Sequence, residues 1–160
     1  MINFRIRPKT ILDQEWVRKH TRQYWGDEMV VAHGVMYYPA ELPGFIAESA
    51  NNPIGLATYS ISGEECELVS IETDITGNGI GKALVQAVKQ KVLEVGCQRL
   101  WLVTTNDNLE ALGFYQKIGF HLVAVHRDAI NEARKVKPSI PLLGEHGIPL
   151  RDEIELEMGL

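Results

Sequence analysis

The chain has 160 residues, 45% of them hydrophobic and 23% charged, with a formal net charge of −5. That length suits one domain with a sizeable core, and the acidic balance excludes broad affinity for nucleic acids or anionic membranes as the default. Two cysteines make no disulfide framework and point to a reducing, cytoplasmic setting; no stretch reaches the roughly 18 apolar residues of a membrane span, and "MINFRIRPKT" lacks the apolar run of a signal peptide.

In chain order, Ile2, Phe4 and Ile6 alternate with Asn3, Arg5 and Arg7, which predicts a half-buried strand. Thr10 offers an N-cap with Asp13 three residues on, and Leu12, Trp16, Val17, His20 and Tyr24 recur at helical spacing until Gly26 ends the helix. Asp27 to Pro43 carries mixed signals and reads as irregular, with room for one short helix or strand. "FIAES", "IGLATYSIS" and "CELVSIET", separated by turn residues, predict a three-stranded antiparallel meander. A glycine-rich stretch, "TGNGIG", then opens a helix that buries Leu84, Val85, Val88, Val92 and Leu93 and ends at Gly96. "RLWLVTT" is a buried strand, Asn108 caps a second helix over "LEALGFYQKI", and "FHLVAVH" is another strand. "DAINEARKV" reads as a short helix, and "EIELEMGL" as the last strand. The sum is an α/β (α+β) chain, a single domain over residues 1–160. Its mixed, mostly antiparallel sheet is flanked by helices, and a long insertion over 126–151 separates the last two strands.

Glycine-rich turns at helix N-termini hold phosphates, because the first backbone N–H groups of a helix are unpaired and its dipole is positive there. A P-loop requires Gly, four residues, then Gly-Lys-Ser/Thr; Thr76 stands where the first glycine belongs and Ala83 where the hydroxyl belongs. A dinucleotide fingerprint is matched by Gly77 and Gly79 but broken by Lys82 at the third glycine. A backbone cradle from Gly77 to Ala83 remains, alongside the plain alternative of a tight turn with no ligand.

Downstream lies "NDNLEALGFYQKIGF". Together the two segments resemble the GNAT superfamily of acetyl-CoA-dependent N-acetyltransferases. The first resembles its pyrophosphate motif, Gln/Arg-x-x-Gly-x-Gly/Ala, at Thr76, Gly79 and Gly81. The second resembles Asn-x-x-Ala-x-x-x-Tyr-x-x-x-Gly-Phe at Asn108, Ala111, Tyr115, Gly119 and Phe120. Thr76 departs from the usual Arg or Gln, which removes the side chain that would brace the loop. The resemblance implies acetyl-CoA as acyl donor, with its phosphates over Thr76, Gly77, Asn78, Gly79, Ile80, Gly81, Lys82 and Ala83. It also implies a pantetheine arm along the backbone of Ile71 and Thr73, and contacts from Asn108, Phe114 and Tyr115. The acetyl group would pass directly to a primary amine in a ternary complex. Tyr115 is the expected general acid, a phenol placed to protonate the leaving thiolate. By period-two alternation Glu65, Glu67, Val69, Ile71 and Thr73 share one strand face and Glu72 the other. In some members of the family a glutamate on this strand is the base, so the resemblance implies Glu67 as the first expected base and Glu65 as the second. No metal spacing exists among His33, His126 and His146. Acids at Asp27, Glu28, Glu145, Asp152 and Glu153 suggest a small cationic acceptor. Two alternatives stay open: a non-catalytic coenzyme A-binding or regulatory module, and a homodimer paired through an exposed last strand.

Overall fold

The computed structural model describes residues 2–160. Nine strands and four α-helices are formed by these residues. The main sheet uses β1 (Arg5–Pro8), β4 (Gly44–Ser49), β5 (Asn52–Ser62), β6 (Glu65–Thr73), β7 (Arg99–Thr105), β8 (His121–His126) and β9 (Glu153–Gly159). Its order is β1-β4-β5-β6-β7-β9-β8, with a separate hairpin of β2 (Val30–Ala32) and β3 (Val35–Tyr37). Every neighbouring pair in the main sheet is antiparallel except β6 and β7.

Helices cover both faces. α2 (Ile80–Glu94) buries Leu84, Val85, Val88 and Val92 against Ala57, Tyr59, Cys66, Leu68 and Leu100. Each such side chain contributes about 1.5–3 kcal/mol on burial. Leu93, expected on that stripe, is exposed. Gly96 ends the helix at φ 87°, with its amide and that of Cys97 turning back to Leu93 and Val92. On the opposite face α1 (Gln14–Trp25) packs Val17 against Ala40, Ile46 and Leu56. The capping box of Thr10 and Asp13 is present, but it starts a 3₁₀ turn over Ile11–Asp13 that leads into α1. Leu12 consequently points to solvent. α3 (Leu109–Lys117) follows β7, and α4 (Ala129–Val136) lies between β8 and β9.

Three expectations are corrected. The stretch from Asp27 to Pro43 is more ordered than read, holding the β2–β3 hairpin and a 3₁₀ turn at Pro39–Glu41. The last strand, β9, is not exposed for pairing; it lies between β7 and β8, and the sheet edges are β1 and β8. Most consequential, β6 does not alternate evenly. Thr58 of β5 faces Ser70 and Tyr59 faces Leu68, so Val69 has no partner of its own and forms a bulge. Before it, Cys66 and Leu68 enter the α2-side core; after it, Ile71 does. The bulge shifts the alternation by one residue, putting Glu67 and Glu72 on the same, α1-side face.

Candidate active site

β6 and β7 pair only from Glu65↔Arg99 to Glu67↔Trp101. Arg99 fixes the closed end through Glu65, Glu155 and Glu157, with its guanidinium over the Trp101 ring. Beyond that point the strands part. The Asp74 amide donates to Ile54 at 2.8 Å, so antiparallel alternation turns the N–H and C=O of Ile71 and Thr73 away from β5 and toward the gap. The Thr73 carbonyl accepts from Tyr24 Oη at 3.2 Å; the peptide groups left unpaired at a broken sheet edge inside a fold are a binding surface for an extended chain of amide character.

Two clefts open on this gap. The first, about 510 Å³, lies on the α2–α3 side and is lined by Ile71, Glu72, Thr73, Ile75, Thr76, Gly77, Gly79, Ile80, Gly81, Lys82, Glu110, Ala111, Phe114 and Tyr115. Gly77 and Gly79 take left-handed φ of 79° and 76°, a conformation that glycine adopts without strain. Gly81 is needed for a different reason: a Cβ there would sit 3.2 Å from the Phe114 ring. The first amides of α2, those of Ile80, Gly81 and Lys82, have no carbonyl four residues earlier within the helix and point out of its N-terminus.

Two residues of the expected cradle fall outside this cleft. The Ala83 amide is already bonded to the Gly79 carbonyl at 3.0 Å as the first full helical turn closes. The Asn78 side chain turns into the loop, where Nδ2 donates to the Thr76 carbonyl at 3.0 Å and Oδ1 accepts from the Ile2 amide at 3.2 Å. Asn78 thus supplies the brace that the Thr76 side chain is too short to provide, tying the loop to the first strand's approach.

The second cleft, about 320 Å³, lies on the α1 side. Tyr24, Trp25, the β2 strand, Leu68 to Glu72, Val103 to Thr105, Asn108, Tyr115 and Glu153 line it. Asn108 caps α3 through Oδ1 and the Ala111 amide at 3.3 Å. Ile71, Glu72 and Tyr115 line both clefts.

Tyr115 is buried, and its phenol makes no hydrogen bond among the described residues. Burial, and then the Glu72 charge, push its pKa up, so it remains protonated. Glu72 is also buried. Its Oε1 accepts from Trp25 Nε1 at 2.9 Å, while Oε2 has no partner among the described residues. Burial pushes the Glu72 pKa up to about 7, against the lowering effect of the Trp25 hydrogen bond. The last turn of α1 holds this end of β6: Tyr24 Oη donates to Asp74 at 2.7 Å, and His20 lies 3.2 Å from the same carboxylate.

Glu67 is buried on the same face but lines neither cleft. Its Oε1 accepts from His33 Nε2 at 2.8 Å and Tyr37 Oη at 2.6 Å, which anchors the β2–β3 hairpin. Glu65 is exposed and pairs with Arg99. Of the acids considered for the acceptor, only Glu153 reaches the second cleft. Glu28 pairs with Arg22, and Asp152 accepts from the Asp128 amide. Sequence reading missed Glu72 as a site residue; the Val69 bulge that brings it over leaves no compositional signal. Among the described residues no group of three His, Cys, Asp or Glu is arranged to hold a metal, and no helix is long and apolar enough to cross a membrane.

Residues 10–120 match the model of the Acetyltransferase (GNAT) family. The uncharacterized protein YdhI of Bacillus subtilis (strain 168) is 44% identical over 151 residues, covering 93% of this chain and 94% of YdhI. Among solved structures, an IAA acetyltransferase from Bacillus cereus ATCC 14579 superposes with a TM-score of 0.75 at 20% identity, over 99% of this chain and 100% of that one. A GNAT family acetyltransferase from Elizabethkingia anophelis with acetyl-CoA bound gives 0.72 at 22%, over all of both chains. With more than half its length inside the matched region, and with a parted sheet and a glycine turn in the places described above, the chain belongs to the GNAT acetyltransferase family.

Proposed function

We propose that this protein transfers an acetyl group from acetyl-CoA to a primary amine by direct attack within a ternary complex. The observation that carries the reading is the meeting of two clefts at Ile71, Glu72 and Tyr115. One has the glycine turn and helix N-terminus that suit a pyrophosphate; the other is a separate entrance for the acceptor. The acetyl-CoA bound by the Elizabethkingia structure of like fold supports the assignment of the first.

In this reading the pantetheine arm pairs with the peptide groups of Ile71 and Thr73 in the gap between β6 and β7. Glu72 takes a proton from the incoming ammonium, directly or through water. A carboxylate held near neutrality matches that task better than an ordinary one. The amine lone pair attacks the thioester carbonyl carbon, and a β6 backbone N–H stabilises the oxyanion. The C–S bond breaks as the tetrahedral intermediate collapses, the thiolate takes the phenolic proton of Tyr115, and the second proton of the attacking nitrogen returns through water to the Tyr115 phenolate, leaving the neutral amide. Glu67, the base that the family resemblance implies, in this reading instead positions the hairpin that walls the acceptor cleft. An acyl-cysteine route has no support: Cys66 and Cys97 are buried away from both clefts, and burial pushes the Cys66 thiol up to about 12.

Thiol release from acetyl-CoA with a panel of amines tests the proposal. Amine-dependent release is expected, and Tyr115→Phe should lower kcat by roughly 10²-fold or more while acetyl-CoA affinity stays within a few-fold. Acetyl-CoA binding with no release for any amine would reduce the chain to a coenzyme A-binding module.

A further inference from the structure

The acceptor cleft carries one more carboxylate than the reaction needs. Glu72 on β6 and Glu153 at the start of β9 both line it, and none of its other lining side chains is cationic. The two are 8% and 4% exposed. Glu72 Oε2 has no partner among the described residues. Glu153 Oε2 accepts one bond, from the His33 amide at 3.1 Å, and its Oε1 makes none among the described residues. Buried carboxylates without a cation are costly, and the cost is normally met by pairing. Burial holds both above the usual carboxylate range. The two acids stand on opposite sides of the gap, since Glu153 pairs with Thr105 of β7. Much of the wall between them, Val30, Ala32 and Val103 included, is apolar. A volume of about 320 Å³ sits at the small end of ligand sites.

Resting on the acetyltransferase reading, we infer that the acceptor is a compact diamine with an apolar spacer, one amino group meeting Glu72 for acetylation and the other held as an ammonium by Glu153. The second ammonium supplies a directly bonded countercharge for Glu153, on which only the imidazoles of His33 and His126, themselves bonded to Glu67 and Glu155, otherwise act among the described residues, and the spacer covers the apolar wall. A monoamine leaves Glu153 unpaired, and an amino acid adds a third negative charge to the same small space. Glu153 is then a specificity-determining residue, oriented by the His33 amide at the tip of the β2–β3 hairpin.

The test compares α,ω-diaminoalkanes of graded length with alkylamines of matching length, an amino acid series and a lysine-containing peptide, all with acetyl-CoA. The best diamine should exceed its matching monoamine by at least about tenfold in kcat/KM, with an optimum in spacer length. Glu153→Gln should bring that ratio close to one, mainly by raising KM for the diamine. Equal or better use of monoamines, amino acids or the peptide by the wild-type enzyme overturns the inference while leaving acetyl transfer intact. Failure to acetylate any amine overturns the underlying reading as well. If Glu153→Gln does not fold, the wild-type length profile decides alone.

Discussion

Glu72 joins most of the site's chemistry in one side chain. Its carboxylate is held by Trp25, borders both clefts and titrates near neutrality because it is buried. As a base it acts when ionised, so kcat/KM should rise with pH through about 7, and Glu72→Gln should flatten that limb and lower the plateau by 10²-fold or more, roughly. The same shift has a sign for stability. The folded pKa lies above the unfolded value of about 4.3, so the folded state binds the proton more tightly and stability falls as pH rises from there to about 7. Glu72→Gln should therefore gain stability over wild type above pH 7, by up to roughly 4 kcal/mol, at about 1.4 per unit over the roughly 2.7 separating the two values, read from urea unfolding at two pH values. A loss of stability at high pH would show that the Trp25 bond to the carboxylate outweighs its burial. Such a residue is invisible to pattern reading, because its neighbours on the strand only define its face if the strand is regular. Tyr115 and Asn108, by contrast, lie where helical spacing and capping chemistry put them.

At the scale of elements, most boundaries follow from local chemistry. The glycine stops of α1 and α2, the Asn108 cap and the apolar stripe of α2 were legible because each depends on a few adjacent residues. What was not legible depends on distant partners. The parting of β6 from β7, the bulge at Val69 and the internal place of β9 all arise from pairing between strands far apart in sequence. Gly113 is a local feature that packing does not explain: a Cβ there would meet open space, and its φ is not in the left-handed range. Glycine inside a helix costs about 1 kcal/mol relative to alanine. Gly113→Ala should accordingly raise Tm by about 2–4 °C in the ligand-free protein. A Tm unchanged or lowered would mean that α3 needs the glycine's freedom in solution.

For the molecule as a whole, the sheet is continuous from β1 to β6 and from β7 to β8, and the two parts meet along only three paired positions, Glu65–Glu67 with Arg99–Trp101. A ligand lying in the gap would bridge both parts. Acetyl-CoA at about one hundred times its Kd should stabilise the fold by about 2.7 kcal/mol, seen as a rise in Tm that grows with ligand concentration. No rise at saturating acetyl-CoA would remove the basis for placing the donor in the first cleft. The bridging also means that hydrogen exchange at the β6 amides facing the gap should slow on binding, whereas those facing β5 are already protected.

The unpaired Val69 sets the phase of the strand end that follows it. Deleting that one residue would close the bulge and seat Ser70 directly after Leu68, leaving Ser70, Ile71 and Glu72 on the faces, and opposite the β5 partners, that they have now. The half-revolution comes instead from straightening β6 at its present length: Val69 would take a place in the ladder, Glu72 would exchange its place over Trp25 for one among the α2-side packing, and Ile71 would move into the acceptor entrance. The composition of the active site would be preserved and its handedness of access reversed. The catalytic arrangement therefore depends on the bulge taking up one surplus residue, and an insertion between Glu67 and Glu72, which leaves a second surplus residue to place, is a harsher change than the loss of Val69.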